Sequence, residues 1–439
     1  MIRNKILGKL IPFYKEHHNT TDETLKNDQI REKIEGIVNE IKKVNKITHE
    51  KNGNRDIKKL KKYSFNEQIT LIYYQYLLKE VYEVKYVDRD YIIKKLLNTL
   101  PNINLYNEIT VFKCDFEKFF ESVSINKVIK ILKENKKLNE SEKSFLIKYL
   151  QTEKQIYPGI GLNNILIDII SMRFDEEIMK TLKETKVLSY SRYVDDIVII
   201  LNKKIDKDLL LKRVEKKAKE VFGEGVGFNI QGEKYCHYVK DAQNTEKNID
   251  YLGYKFLIGG KRFEMGVSTS KIERIQTDIE KIFEKSKMLT NLNEREIYIC
   301  TKLEVFFKRT VYFEKEKWKV RGISDSYKAL KNNLEYKKIK ETINEETLKM
   351  LSEDIKDIYI KVFNVEPSRV LKNQIDNEKF ISLFFKNKSL VLDKRIGISY
   401  KALLELIEII EVEDTTLISK RMGYKKAKKV FLKNTLKKT

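Results

Sequence analysis

The sequence predicts an α+β fold, because helical stretches surround one central region that is rich in short β runs. Only 16 Gly and 4 Pro interrupt the 439 residues, which favours long helices. Between Glu108 and Phe263 short apolar β runs alternate with helical patterns, whereas the pattern after Ser268 turns helical and stays so. A chain of this length exceeds one small core, so we expect two or three subdomains.

The first part of the chain, to about Asn107, is predicted to be mostly helical around one loop at residues 51–55. A strand is predicted over Ile109–Cys114. A helix follows it, because Ser124 is a suitable cap and apolar residues then recur at helical spacing.

Two hairpins are predicted downstream. The first covers Leu188–Leu201, where two β runs are hinged near Asp195 and Asp196. The second covers Ile249–Phe263, with the pair Gly259–Gly260 as its turn signal.

The charge balance indicates a polyanionic partner. Lys and Arg total 88 against 65 Asp and Glu, a net charge of +23, which favours nucleic acid over an acidic membrane surface or a merely lysine-rich enzyme. The last 20 residues carry nine basic side chains and no acid. That tail fits either a solvated or frayed end or a nucleic-acid contact.

Several classes of protein are disfavoured by composition. The longest uncharged stretch, Gln155–Ile167, is shorter than the roughly 18 apolar residues that a membrane span needs, and charges interrupt the N-terminal residues 1–18. The four His residues show no metal-ligand spacing. The cysteines, Cys114, Cys236 and Cys300, are too few and too scattered for a disulfide framework or a zinc site. We therefore expect a reduced, cytoplasmic protein.

Two acidic motifs carry the candidate chemistry. The adjacent Asp195 and Asp196 lie between apolar β runs, where two carboxylates are costly unless the turn is exposed or a cation neutralises them. Asp115 ends the strand predicted before them. If the two strands end side by side, three carboxylates form a cage of hard oxygen ligands that suits Mg²⁺. Two such ions about 4 Å apart can activate a 3′-hydroxyl and stabilise a leaving pyrophosphate. An ordinary Asp-rich turn is the alternative.

These motifs resemble the reverse-transcriptase family. Asp115, followed by Phe119, Phe120 and then a Ser, resembles the family's first palm motif, and residues 192–196, Arg-Tyr-Val-Asp-Asp, resemble its second carboxylate motif. The resemblance covers roughly residues 50–270. It implies two Mg²⁺ ions, with Mn²⁺ as a substitute, held by the three aspartates and the backbone carbonyl of Phe116.

Further matches extend the resemblance in the same order along the chain. Lys234 resembles the Lys that protonates pyrophosphate, and Arg55 resembles the Arg that holds the triphosphate. Phe120 takes the place of an aromatic residue that excludes a 2′-hydroxyl, while Phe119 is its neighbour on the nucleotide side or in the core. The segment that resembles a primer grip consists of Tyr251, Leu252, Gly253 and Tyr254.

One motif departs from the family. A Pro-Gln-Gly triplet with a following Ser usually leads into the helix that supports the template and nucleotide; here the segment from Pro158 to Ile165 lacks that Gln and Ser. Gly161 survives, and Asn163 or Asn164 is the candidate replacement. We therefore expect the protein to copy arbitrary primed RNA poorly. It would instead work on one dedicated RNA or make a low-complexity product with limited templating.

The resemblance implies a right-hand polymerase with three parts. They are N-terminal helices and fingers over residues 1–108, an antiparallel palm over 109–267 with fingers helices inserted at about 125–155, and a helical thumb and C-terminal region over 268–439. The segment Gly266–Thr269 lacks the Val-Thr-Gly of retron enzymes, and no nuclease motif of group II intron enzymes is seen.

The nearest subfamily is the defence-associated reverse transcriptases of bacteria, which residues 88–93, Asp-Arg-Asp-Tyr-Ile-Ile, also resemble. That resemblance implies RNA-directed DNA synthesis from deoxynucleotides, a structured non-coding RNA partner, a DNA product and a role against phage. A homo-oligomer or a partner protein stays open. Two alternatives are a non-catalytic RNA-binding scaffold and an RNA-dependent RNA polymerase. The intact aspartates disfavour the scaffold, and Phe119 and Phe120 disfavour the RNA polymerase.

Overall fold

The computed structural model describes residues 2–18, 26–53, 55–240, 245–260, 262–314, 317–331, 341–385, 389–411 and 422–436. It divides the chain into two compact units, one of residues 1–92 and 105–240, the other of residues 93–104 and 241–439. Helices and several sheets are mixed in a single α+β chain, as predicted.

The first unit combines helices with one central sheet. Its helices and strands are α1 (Ile2–His17), α2 (Asn27–Glu40), β1 (Glu50–Asn52), β2 (Arg55–Ile57), α3 (Phe65–Val81), the start of α4 (Arg89–Thr99), β3 (Thr110–Glu117), α5 (Phe119–Ser122), α6 (Ile125–Glu134), α7 (Glu140–Glu153), α8 (Gly161–Thr181), β4 (Val187–Tyr193), β5 (Asp196–Leu201), α9 (Lys207–Phe222), β6 (Gly227–Asn229) and β7 (Cys236–Val239).

The central sheet has the strand order β4-β5-β3-β6, and β7 also pairs with β3. All of these pairings are antiparallel. Strand β5 is buried from Ile197 to Leu201, as expected of a continuous apolar run. Strand β3 is buried from Thr110 to Phe116, although this stretch includes Lys113 and Asp115. The predicted strand at 109–114 and the hairpin at 188–201 are therefore confirmed, although β3 extends three residues further.

An aromatic cluster lies beneath the end of β3. The ring of Phe116 stacks on Phe119 with centroids 4.6 Å apart, and Phe222 packs edge-on against both rings. Phe174 of α8 lies 5.0 Å from Phe222. Rings of this size bury a large apolar area, so the cluster fixes β3, α5, α8 and α9 relative to one another.

The second unit contains two three-stranded sheets and many helices. Its elements are the rest of α4, β8 (Lys247–Tyr251), β9 (Tyr254–Ile258), β10 (Glu264–Val267), α10 (Thr269–Ser286), α11 (Leu292–Phe307), β11 (Arg309–Glu314), β12 (Lys317–Arg321), α12 (Ile323–Ser326), α13 (Glu345–Met350), α14 (Glu353–Phe363), α15 (Arg369–Asp376), α16 (Lys379–Phe385), β13 (Ser389–Leu392), α17 (Tyr400–Ile410) and α18 (Tyr424–Leu436).

Two predictions of secondary structure were wrong, and a third was incomplete. Residues 51–53 and 55 fall in the β1–β2 hairpin rather than a plain loop; Asn54, predicted as part of that loop, lies outside the described residues. The pair Gly259–Gly260 lies between the antiparallel strands β9 and β10, as predicted for a hairpin turn, but the turn at Leu252–Gly253 that joins β8 to β9 was missed. The region after Ser268 is not wholly helical, because β11, β12 and β13 form a sheet there.

The basic C-terminal segment forms helix α18 over Tyr424–Leu436. Ala427 and Phe431 of α18 are buried in a core shared with Tyr312 and α17. Lys420, Arg421, Lys437 and Lys438 lie outside the described residues. No helix in the described part of the chain is long and apolar enough to cross a membrane.

Candidate active site

The three aspartates are positioned by the pairing of β3 with β5. Asp115 is the register partner of Asp196 across the two strands. Asp195 precedes β5 in the β4–β5 turn, and its carbonyl accepts a hydrogen bond of 3.2 Å from the Phe116 backbone N–H. Side chains directly opposite each other in an antiparallel pair lie on the same face. The fold therefore brings all three carboxylates to one end of the central sheet.

The turn that holds Asp195 is strained. Val194 has φ 58, in the left-handed region that β-branched residues rarely adopt. The buried guanidinium of Arg192 holds the turn in place, since its Nη1 donates to the Val194 carbonyl at 3.0 Å. Arg192 is itself fixed by two further bonds to Asp175, of 2.7 and 2.9 Å. Strain of this kind, maintained by surrounding bonds, is typical of functional turns.

Burial and the neighbouring negative charges raise the pKa values of Asp195 and Asp196. Burial raises the pKa of Asp195, and the negative charge of Asp115 raises it further. Burial also raises the pKa of Asp196 to about 6; Lys113 opposes this shift, and the charges of Asp115 and Asp195 add to it. A cation placed beside these carboxylates would favour their ionised forms and lower both pKa values.

Two cationic side chains from distant segments reach this cluster. Lys234 Nζ lies 2.9 Å from Asp115 Oδ2. The Arg55 guanidinium, on β2, approaches Asp195 Oδ2 at 3.6 Å and is largely exposed. Both residues were predicted as site residues by resemblance, and the structure places them beside the carboxylates.

The carboxylate oxygens of the site are suitable ligands for a hard cation, but their side chains do not surround a position where one could bind. Within the described residues, no group of three or more His, Cys, Asp or Glu side chains is placed so that it could hold a metal ion. Instead, the ammonium group of Lys234 occupies one oxygen of Asp115. Carboxylate oxygens remain the ligands that Mg²⁺ prefers.

The two neighbouring phenylalanines lie in different environments. Phe119 is buried in the aromatic cluster, whereas Phe120 is half-buried and its ring lies 6.3 Å from that of Phe119 in an edge-on arrangement. Only Phe120 therefore presents part of its ring to solvent, as expected for a pair in which one ring is core.

The segment before α8 is fixed by buried polar contacts. Asn163 is buried: its Oδ1 accepts from the Tyr149 hydroxyl at 2.7 Å, and its Nδ2 donates to the Tyr157 carbonyl at 2.7 Å. Both ends of the amide are thus used within the fold. Asn164, by contrast, is exposed. Of the two asparagines, only Asn164 has a side chain open to a ligand.

Close backbone approach explains the glycines of this segment. A Cβ at Gly161 would lie 2.0 Å from Oε1 of Gln75, so the glycine lets the Gln75 side chain rest against the start of α8. A Cβ at Gly159 would lie 2.2 Å from the Lys58 carbonyl, and Lys58 N–H donates to the Pro158 carbonyl at 2.9 Å. The loop is therefore docked onto the end of β2.

The segment predicted as a primer grip lies in the second unit. Tyr251 and Tyr254 are buried, and the Tyr254 hydroxyl donates to the Ser326 carbonyl at 3.2 Å. Leu252 and Gly253 form the turn, with φ 50 and 80. Only the turn is accessible to a ligand, since the two tyrosine rings are buried in the core.

Sequence reasoning missed several residues that shape the site. Lys113 lies on β3 between the apolar Phe112 and Cys114. Its Nζ donates to the Glu233 carbonyl at 2.5 Å, next to Lys234. Asp175 orients Arg192, and Gln75 lies against Gly161. For Lys113 the available signal was a charged residue among apolar positions of β3, whereas Asp175 and Gln75 carry no comparable signal in the sequence.

No family model matches the sequence, and no curated protein matches it. The apo telomerase of Candida tropicalis aligns at TM-score 0.36 and 14% identity, over 82% of this chain and 59% of that one. Telomerase from Candida albicans in complex with a telomeric RNA fragment aligns at 0.33 and 10%, over 72% and 54%.

A C-terminally truncated Candida tropicalis telomerase gives a TM-score of 0.30 and 17% identity, over 42% of each chain. This chain spans less than two thirds of each of these structures.

Proposed function

We propose that the chain is a template-directed nucleotidyltransferase of the reverse-transcriptase type, an RNA-directed DNA polymerase. One observation supports this most strongly: Asp115 faces Asp196 across the central strands with Asp195 in the adjoining turn. Arg55 and Lys234 come from separate segments to the same carboxylates. A nucleotidyl transfer site needs this combination of metal ligands and phosphate-binding cations.

Each side chain has a distinct task in this proposal. Bound Mg²⁺ ions, or Mn²⁺ in their place, would activate a primer 3′-hydroxyl and neutralise charge on the leaving pyrophosphate. The carboxylates of Asp115, Asp195 and Asp196, with the Phe116 carbonyl, would hold them. Arg55, being exposed, is free to turn from Asp195 to a triphosphate. Lys234, released from Asp115, can donate a proton to pyrophosphate.

Sugar selection is assigned to Phe120. Its ring is partly exposed, unlike that of Phe119, and it follows Asp115 by five residues. A ring beside the sugar leaves no room for a 2′-hydroxyl, so deoxynucleotides are the proposed substrates and DNA is the product.

The proposed partner is RNA. A net charge of +23 favours many phosphate contacts, which give high affinity without base readout. Asn163 uses both ends of its amide in hydrogen bonds within the fold, which leaves the exposed Asn164 as the remaining candidate in place of the missing Gln and Ser. A dedicated non-coding RNA, held by sequence-independent contacts, therefore fits better than arbitrary templates.

The defining test is Asp195→Asn in a Mg²⁺-dependent primer-extension assay. Loss of one carboxylate should slow incorporation on the order of 10³-fold or more. The matched control is Asp208→Asn, the same exchange at an exposed position of α9 in the same unit. Wild-type rates in the Asp195 variant would contradict the proposal. An inactive wild-type chain that still binds RNA would indicate the scaffold alternative.

Templating and biological role need separate experiments. RNA-stripped protein given a generic primed RNA should produce little full-length DNA, whereas efficient copying would mark a general reverse transcriptase. Sequencing the copurifying RNA and its DNA product identifies the dedicated template. The proposed role against phage predicts that cells expressing the wild-type chain resist infection and that cells expressing the Asp195→Asn variant do not.

A further inference from the structure

The hairpin that carries Arg55 is small and forms a sheet of its own. Strands β1 and β2 pair over three residues each, apart from the central sheet. Arg55 lies beside the turn, opposite Asn52 in the register, and its side chain is 74% exposed. A two-stranded hairpin is at best marginally stable by itself. Its orientation therefore depends on contacts at its base, meaning the residues just before β1 and just after β2.

Both sides of this base contact the segment that precedes α8. The Lys58 backbone N–H, just after β2, donates to the Pro158 carbonyl at 2.9 Å. The Lys58 ammonium group donates to Glu153 and lies 5.4 Å from the centre of the Tyr157 ring. That ring stacks on His49, just before β1, with centroids 5.1 Å apart. The base of the hairpin is thus attached through Lys58 and His49 to one short stretch of chain.

Stability alone does not explain the ion pair of Lys58 with Glu153. Both side chains are buried, which disfavours any charge. Glu153 is also the last residue of α7, where the helix dipole disfavours a carboxylate. Two apolar side chains at such positions often stabilise a fold as well as a buried ion pair does, or better. What the ion pair adds is direction, because a charge-assisted hydrogen bond restricts both the distance and the angle between two elements.

We propose that Lys58 and Glu153 are positioning residues, which set the place of Arg55 in the site by fixing the base of the hairpin. Lys58 follows Arg55 by three residues, roughly 10 Å along an extended chain, so a tilt at the base displaces the guanidinium. A misplacement of about 1 Å at a reacting centre can cost on the order of 10²-fold in rate. The inference rests on the proposed function, in which Arg55 holds the triphosphate.

The test exchanges both members of the pair at once. Lys58→Met with Glu153→Leu fills the buried space with apolar side chains and leaves neither charge unpaired, whereas Lys58→Met alone would strand a buried carboxylate and destabilise the chain strongly. The matched control is Lys180→Met with Glu177→Leu, the same double exchange in an ion pair of 2.8 Å at the surface of α8. Both double variants should stay folded by circular dichroism.

Amide hydrogen exchange measures the attachment of the hairpin without catalysis. In the Lys58/Glu153 double variant, the amides of β1, β2 and Lys58 should exchange about tenfold faster or more, because local opening no longer breaks the ion pair. The amides of β3 should keep their wild-type rates, and the control variant should match the wild type throughout. Unchanged exchange in the hairpin of the folded double variant would overturn the proposal, whatever the enzyme activity.

Primer extension then measures whether the attachment acts through Arg55. The KM for deoxynucleotides should rise about 10–100-fold with a smaller change in kcat, since a misplaced Arg55 loses ground-state binding of the triphosphate. The loss should not exceed that of Arg55→Gln. Adding Arg55→Gln to the double variant should cost nothing beyond Arg55→Gln alone, because residues that act through one group are not additive.

The kinetic outcomes separate this inference from the proposed function. A wild-type KM in the folded double variant would overturn the positioning role, and so would losses that add to those of Arg55→Gln. Either result leaves the polymerase proposal intact, because the wild-type chain is then active. A wild-type chain that incorporates no nucleotide would instead contradict the proposed function, and with it the role given to Arg55.

Discussion

Replacing Asn163 with alanine should destabilise the fold rather than weaken nucleotide binding. The Asn163 side chain is buried and joins the Tyr149 hydroxyl to the Tyr157 carbonyl through two hydrogen bonds of 2.7 Å. Alanine removes both bonds and leaves both partners unsatisfied. Each buried group left without a partner costs about 1–3 kcal/mol, so for two groups we expect a loss of about 2–6 kcal/mol in unfolding free energy.

The assay is urea unfolding of the full chain, followed by circular dichroism. Asn164→Ala is the matched control, because it is the same exchange at the next residue, where the side chain is exposed. A surface exchange of this kind changes stability by about 0.5 kcal/mol or less. The Asn163 variant should therefore unfold at a clearly lower urea concentration than the control.

One result would refute this reasoning. If Asn163→Ala unfolds like the wild type but shows a raised KM for deoxynucleotides, the side chain contacts substrate, as the resemblance predicted. An equal loss of stability in Asn164→Ala would also contradict it, because the two positions would then be equivalent in packing.

Three further predictions concern the site. Phe120→Val should raise ribonucleotide incorporation relative to deoxynucleotide; an unchanged ratio with lost stability would make Phe120 a core residue. Lys234→Gln should lower kcat about 10²–10⁴-fold while primer–template binding persists; an unchanged kcat would exclude it as the proton donor. Asp196→Asn, without divalent cations, should raise the melting temperature at neutral pH. The folded-state pKa of Asp196 is raised to about 6, so its neutral form stabilises the fold at low pH and that stability is lost as pH rises through 6. The difference should vanish below about pH 4, where the unfolded chain is protonated too; calorimetry showing a less stable variant at neutral pH would contradict this.

Local patterns were enough to predict the elements that carry the carboxylates. The apolar runs on both sides of Asp195 and Asp196 can only be a hairpin, and Asp115 ends a run of the same kind. The antiparallel pairing that sets Asp115 opposite Asp196 follows once these strands share a sheet. Each of these features depends on neighbouring residues, which is why the sequence revealed them.

Turn positions were less predictable. The pairs Leu252–Gly253 and Gly259–Gly260 flank β9 on either side, and glycine content favoured the second as the main hairpin turn. The structure uses both, because β8, β9 and β10 form one continuous antiparallel sheet. Glycine marks where a chain can turn, but pairing decides how many strands result.

The acidic motifs, the basic charge and the mixed α+β class could be predicted without a structure, because composition and short-range periodicity encode them. The roles of individual polar residues depend instead on contacts between distant segments. The Asn163 amide is used in hydrogen bonds within the fold. Arg192 bonds both to the Val194 carbonyl in the turn and to Asp175 on α8. The C-terminal sheet was also hidden, since β11 pairs in parallel with the distant β13. A polar side chain or a strand gains its role from the partner it meets, and partners far apart in the chain leave no local pattern.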